Sequence, residues 1–269
     1  MKNTLPRSLS FALLLAGSSA SAQLVQMDLN NNYTNGGSLG GSGFDDGSGS
    51  SFTASGGGYT GQAGDYAWVR SGSTAGLAFG AYENTSANFP ALNNLTGATF
   101  TMWVKIPTPA DGNFFRGEYA TNSVWLWDPN EPTASEVSPG GWQGPGLDQS
   151  TLSSWTFISL RWDGVAGTTK VNQGGLAGGA LDTPISVAGT AIGNTGAVVW
   201  NLRWVGDLGP TFPAGVMVDN ARYYGSALSD TALQNLYNAD VAAIPEPSTF
   251  GFLAGGLAMF AAIRRRRRG

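Results

Sequence analysis

The side chains that carry most enzymatic chemistry near neutral pH are missing, for the 269 residues include no histidine and no cysteine. That removes the Ser-His-Asp triad, thiolate nucleophiles, imidazole or thiolate zinc sites and any disulfide framework. Carboxylates remain. Glycosidases on β-scaffolds pair two of them at short spacing on one strand face, as in E-x-D-x-x-E, to serve as nucleophile and acid. This sequence has no such spacing, and Pro129 interrupts the stretch between Asp128 and Glu131. The chain reads as non-catalytic.

Binding chemistry is open to it. Asp128, Asp148, Asp163 and Asp207 are acids at expected loops or strand ends, and hard cations such as Ca²⁺ collect carboxylate and carbonyl oxygens there. They do not form an EF-hand spacing. Asp219 sits in the apolar run from Val216 to Tyr224, where strict alternation puts it on one face with Ala221 and Tyr223. A carboxylate there needs hydrogen bonds from loop backbone, or a cation. Asp163, Asp207 and Asp219 are thus the metal candidates, with Ca²⁺ as the one cofactor they could take. Asp45-Asp46-Gly47 reads as a solvated turn. Trp125, Trp127 and Trp142 lie among Pro129, Pro132, Pro139 and Pro145, in what reads as a long loop beside a sheet. Flat aromatic faces bind sugar rings. Trp125 and Trp127 share one strand face and suit a core, which leaves Trp142 as the ligand-binding candidate.

Short alternating runs between turn residues predict an all-β sandwich to position these groups. Phe100, Met102, Val104 and Ile106 fall on one face of a strand that Pro107 ends, with Thr101, Trp103 and Lys105 on the other. Trp155 to Trp162 is a second strand, and Asp163-Gly164 supplies a hairpin-type turn. Val198 to Val205 and Val216 to Tyr224 follow, with weaker runs at 65–69, 77–82, 124–127, 170–172 and 185–187. One helix is predicted. Ser229 is its N-cap, Asp230 complements its positive end, and Leu233, Leu236 and Tyr237 mark its apolar face. Residues 35–64 are Gly-rich and predict a long irregular surface loop or frayed edge, with the N-terminal strand pairing near the C-terminal one.

The two ends read as targeting signals. Lys2 and Arg7 precede the apolar Phe11 to Ala16, and Ala20-Ser21-Ala22 is an A-x-A cleavage site, so residues 1–22 read as a signal peptide. At the other end Pro245-Glu246-Pro247-Ser248 gives a stiff, exposed peptide, followed by an uncharged apolar segment, 250–263, and then Arg264, Arg265, Arg266, Arg267 and Arg268. Fourteen residues is short for a span, but five arginines are a stop-transfer signal that stays on the cytoplasmic side. Seven of the 14 basic residues lie in these signals against one of the 18 acids. Residues 23–244 then carry 7 basic and 17 acidic groups, a net charge near −10, which repels a phosphate backbone and disfavours nucleic acid.

The C-terminal pattern over 245–268 resembles the PEP-CTERM sorting signal of Gram-negative bacteria. That resemblance implies export, tethering to the inner membrane, recognition at Pro245-Glu246-Pro247 by an exosortase-type membrane protease, and delivery to the cell surface or extracellular matrix alongside exopolysaccharide. Three stretches of the body resemble the LamG-like, concanavalin A-like jelly roll: Phe100-Thr-Met-Trp-Val-Lys105, Ser154-Trp-Thr-Phe-Ile-Ser-Leu-Arg-Trp-Asp-Gly164, and Val218-Asp-Asn-Ala-Arg-Tyr-Tyr-Gly-Ser-Ala-Leu-Ser-Asp230 with Leu233, Leu236 and Tyr237 after it. The resemblance implies two antiparallel sheets packed face to face over 23–244, closed by a short C-terminal helix. Ala232 departs from it where the family often has a Glu in the first helical turn. The expected protein is an exported sandwich, between a signal peptide and a transmembrane sorting segment at 245–269, that binds or organises extracellular polysaccharide. A purely structural matrix protein without a defined ligand is the alternative.

Overall fold

Alternation builds the centre of the molecule. The computed structural model describes residues 22–46, 49–71, 76–79, 89–108, 112–119, 123–128, 135–138, 141–143, 147–188, 199–205 and 214–245. Its strands form two antiparallel sheets. The larger runs, in spatial order, β13 (Ile185–Ala188), β12 (Thr168–Gly175), β11 (Thr156–Asp163), β6 (Gly97–Lys105), β15 (Met217–Tyr224), β4 (Trp68–Arg70) and β3 (Ser50–Phe52), and β1 (Gln23–Met27) also pairs with β15. The smaller runs β10 (Gly141–Gln143), β9 (Ser135–Ser138), β8 (Ser123–Asp128), β7 (Gly112–Tyr119), β14 (Val199–Val205), β5 (Gly76–Phe79) and β2 (Gly43–Asp46).

The main core lies between the sheets. Phe100, Met102 and Val104 of β6 and Ile158, Leu160 and Trp162 of β11 meet Leu77, Phe79, Phe115, Leu202 and Trp204 from the smaller sheet. The period of two thus places the predicted apolar faces as expected. Trp204 reaches across the gap, and its Nε1 donates to the carbonyls of Thr101 and Arg222, each at 3.1 Å. A buried indole that finds its acceptors on the opposite sheet ties the two layers together.

A second cluster covers the outer face of the larger sheet. Trp103 and Phe157, the residues between the inward-facing ones, pack with Tyr59, Leu233 and Tyr237. The last two come from the helix α1 (Asp230–Ala242), whose N-cap Ser229 accepts a hydrogen bond from the N–H of Ala232 at 3.1 Å. Gly174 of β12 lies beneath this helix, and an added Cβ there would stand 2.9 Å from the Tyr237 ring and 2.7 Å from Leu181. Gly174→Val is expected to lift α1 off the sheet and cost about 1–3 kcal/mol by urea denaturation.

Three expectations change. The Gly-rich 35–64 is not wholly irregular, because β2 and β3 lie within it, each at the edge of a different sheet. Edge pairing needs only backbone groups, so few apolar side chains mark it. β1 does pair with β15, as the sequence predicted. The Asp163-Gly164 turn is a four-residue connection from β11 to β12, not a two-residue one. Finally, the stretch read as a long loop beyond the strand run at 124–127 contains β9 and β10, which extend β8 into a meander at the edge of the smaller sheet.

Candidate functional site

β15 contains the irregularity around which the outer face is organised. Asp219 opposes Trp103 on β6 and Arg222 opposes Thr101, so three steps on β15 match two on its partner. This is a β-bulge, and Asn220, at φ +48°, takes the left-handed conformation that asparagine tolerates better than most residues. The bulge resets the alternation. Val218, Ala221 and Tyr223 face the core between the sheets, while Asp219 and Arg222 are bonded to groups on the outer side. Asp219 therefore does not share a face with Ala221 and Tyr223, because the extra residue shifts the period by one.

The Asp219 carboxylate is almost fully buried and accepts two backbone N–H groups, from Tyr59 at 3.0 Å and from Asn220 at 2.7 Å. Burial pushes its carboxyl well above the usual carboxylate range; the two N–H donors oppose this, and Asp65 and Asp28 add to it. It borders a polar cavity of about 310 Å³ lined by Asp28, Asn30, Gln62, Asp65 and Asn220 among others. A folded-state pKa above the unfolded value of about 3.9 means that Asp219 supplies stability below that value and loses it as pH rises through the folded pKa. In urea denaturation, the wild type should gain on Asp219→Asn as the buffer is moved from pH 7.5 to pH 4.5. A constant difference between the two would contradict the shift.

Beside it lies a buried ion pair. Arg222 donates from Nη1 and Nη2 to the two carboxylate oxygens of Asp240 at 2.8 and 2.6 Å. Trp103 Nε1 donates to the same carboxylate at 3.0 Å, and Asn220 Nδ2 donates at 3.3 Å. Burial pulls the Arg222 guanidinium down, but hydrogen bonding and charge from Asp240 outweigh it and leave it raised. Tyr59 stacks on Trp103, with centroids 4.9 Å apart and planes 7° from parallel. Burial, the largest influence, raises its phenol. Four segments distant in sequence converge here: the loop carrying Tyr59, β6, β15 and α1. The sequence reading missed Arg222 and Asp240. The available signal was position, since Asp240 follows Leu233 and Tyr237 along the buried stripe of α1.

The other candidate acids lie elsewhere. Asp163 caps its own turn, its Oδ1 accepting from the N–H groups of Val165 at 3.0 Å and Ala166 at 2.9 Å. Asp148 does the same for Ser150 at 3.0 Å. Asp128 ends β8 opposite Gly112, and Asp207 lies outside the described residues. Among the described residues, no three acidic side chains converge to hold a metal ion. Both oxygens of the Asp219 carboxylate already accept backbone hydrogen bonds.

Trp142 lies in β10, at the rim of the smaller sheet. It stands opposite Glu136 of β9, which stands opposite Trp127 of β8, which in turn stands opposite Asn113 of β7. Trp125 is opposite Ser138 and Arg116. Leu126, between the two β8 tryptophans, is in register with Phe115, a core residue. Directly paired positions share a face of the sheet, so Trp127 and Trp142 stand in one cross-strand row with Glu136 and Asn113. Their side chains lie outside the described residues. The sequence reading assigned Trp125 and Trp127 to the core, a reading that falls on side chains outside the described residues.

No family model matches the chain, and no curated protein sequence matches it. Solved structures do. Domain 4 of an extracellular GH43 arabinanase from Geobacillus stearothermophilus, in complex with arabinotriose, is similar with a TM-score of 0.52 at 18% identity, covering 81% of this chain and 98% of that one. The binding domain of botulinum neurotoxin DC in complex with rat synaptotagmin II has a TM-score of 0.52 at 9% identity, over 81% of this chain and 51% of that one. The receptor-binding domain of the botulinum neurotoxin C/D mosaic serotype has a TM-score of 0.51 at the same identity. The chain spans about half the length of the toxin domains it matches and nearly all of the arabinanase domain. The shared feature is the two-sheet jelly-roll sandwich. At these identities the likeness is one of fold, and the residues of a site must be argued from this chain alone.

Ala22 is exposed one residue before β1, and Pro245 is exposed just beyond α1. Ala20, Glu246, Pro247 and Arg264 to Arg268 lie outside the described residues, as does 250–263. Among the described residues no helix is long and apolar enough to cross a membrane.

Proposed function

We propose that this chain is an exported, non-catalytic jelly-roll protein that binds extracellular polysaccharide across the outer face of its smaller sheet. The observation that carries the reading is the register row Trp142, Glu136, Trp127 and Asn113. Trp127 and Trp142 are two strand spacings apart, roughly 9.6 Å, a span suited to a disaccharide unit. Aromatic faces would take the apolar sides of two sugar rings, and the carboxylate and amide between and beside them would bond hydroxyls. The arabinanase domain, solved with a trisaccharide, supports a sugar ligand for this fold. Sorting by an exosortase-type protease at Pro245-Glu246-Pro247, with the arginine tail as stop-transfer signal, completes the reading and brings the protein to exopolysaccharide.

The test is binding of purified residues 23–244 to a polysaccharide panel, including the host's own exopolysaccharide, in Ca²⁺ and then in EDTA. Saturable binding that persists in EDTA is expected, because aromatic stacking needs no metal. Loss in EDTA would move the site to the Asp219 cavity. Absence of binding to every glycan would sink the reading.

A further inference from the structure

The tryptophan row has a period that a ligand must match. Trp142 of β10, Glu136 of β9, Trp127 of β8 and Asn113 of β7 stand on four successive strands, each position directly opposite the next. Paired strands lie about 4.8 Å apart, close to the advance of one sugar along an extended glycan. Each strand therefore meets one sugar. The two tryptophans fall on alternate positions, with an acid between them.

Alternation of this kind selects a chain geometry. In a glycan linked through opposite equatorial positions, as in a β-1,4 linkage, each ring is turned by half a revolution against the one before. The first and third rings then show the same face to the same side and lie on one line. Helical α-1,4-linked and β-1,3-linked chains curve, and their second neighbours leave that line. The other axis open to a ligand, along β8, offers Trp125 and Trp127 two residues apart, about 6.7 Å, more than one sugar and less than two. Across the two strand steps from β8 to β10 a sheet twists by roughly 40–50°. A single dissolved chain takes up that rotation in its linkages, whereas a crystalline surface cannot. Charge narrows the choice again. The row contains one acid and no base, and residues 23–244 carry 7 basic and 17 acidic groups, so a polymer bearing carboxylates is repelled.

We propose that the ligand of this row is a soluble, neutral, extended glycan of the β-1,4-linked kind, lying across the strands with its first, second and third sugars at Trp142, Glu136 and Trp127. The inference rests on the reading of the row as a sugar site. It adds the linkage class, the charge and the direction of the bound chain.

The experiment is isothermal titration of the full chain, purified in a detergent without a sugar headgroup, against β-1,4-linked oligomers of glucose, mannose and xylose two to six sugars long. Only from three sugars onward can one ligand reach both tryptophans. For the best of the three series, the trisaccharide is expected to bind about tenfold or more tighter than the disaccharide, because it gains a second aromatic contact. A fourth sugar, at Asn113, should add about threefold, the worth of one hydrogen bond in water, and further sugars almost nothing. The α-1,4 and β-1,3 glucose trisaccharides should bind more weakly than the best β-1,4 one. Carboxymethylcellulose should bind more weakly than hydroxyethylcellulose at low ionic strength, and salt should narrow that gap. Trp142→Ala should abolish the step between two and three sugars, and Trp125→Ala should keep it. Affinity that rises evenly from two sugars to six would overturn the proposal, as would preference for a curved or carboxylated chain. Retention on microcrystalline cellulose without affinity for any soluble oligomer would overturn it too. A step lost in Trp125→Ala and kept in Trp142→Ala would lay the chain along β8 instead. Failure of the underlying sugar-site reading looks different: no glycan of any linkage or charge would bind.

Discussion

Asp240→Ala is expected to destabilise the folded body by about 3–5 kcal/mol, the cost of leaving one member of a buried ion pair alone. Arg222 would keep its charge at 6% exposure with no carboxylate to receive its two N–H bonds. Trp103 Nε1 would also lose its acceptor, 3.0 Å away in the wild type. The size of the loss reflects an unpaired charge, not the net worth of the pair. Arg222→Met with Asp240→Leu tests this, since well-packed apolar residues can replace a buried pair at little cost. That double variant should recover all but about 1–3 kcal/mol, the remainder being the unsatisfied indole. Urea denaturation monitored by tryptophan fluorescence measures both. If Asp240→Ala cost less than 1 kcal/mol, α1 would not be held by this pair.

The pair also shows where sequence reading stops. The strands of the centre were legible because Phe100 to Ile106 and Trp155 to Trp162 alternate cleanly, and the helix because Ser229, Leu233 and Tyr237 stand at fixed offsets. Asp219 was recognised as a carboxylate that must be satisfied, and Tyr59 and Asn220 satisfy it. Its face was misjudged, since a bulge inserts one residue and no residue type announces it reliably; Asn220 is a weak mark. Arg222 and Asp240 lie 18 residues apart and meet only because α1 folds back over β15. The edge strands β2, β3 and β10, with β9 next to β10, were the least legible, because edges pair through backbone and their side chains need not be apolar. Register across β8, β9 and β10 is a property of pairing and is invisible in a single strand's sequence. The tryptophan row could be named residue by residue and still not be seen as a row.

Trp142→Ala is the corresponding test of that row. If Trp142 supplies one of two stacking surfaces, its loss should weaken polysaccharide binding by at least 30-fold, the scale of an aromatic hot spot worth about 2 kcal/mol. Stability should hardly change, because β10 is a three-residue strand paired, among the described residues, only with β9. The combination is diagnostic: a folding defect would lower the melting temperature and the fraction of active protein together, whereas a lost stacking surface raises Kd at full stoichiometry. Trp127 occupies the same row on β8, flanked on both sides by paired strands, so Trp127→Ala should also weaken binding but with some loss of stability. Glu136, between them, is a hydrogen-bonding position, and Glu136→Gln should cost less than either tryptophan because an amide keeps an acceptor oxygen and adds a donor for sugar hydroxyls. Isothermal titration against the polysaccharide that binds best would rank the three. Unchanged Kd for Trp142→Ala together with Trp127→Ala would remove the sheet face as the binding site and return the question to the cavity beside Asp219.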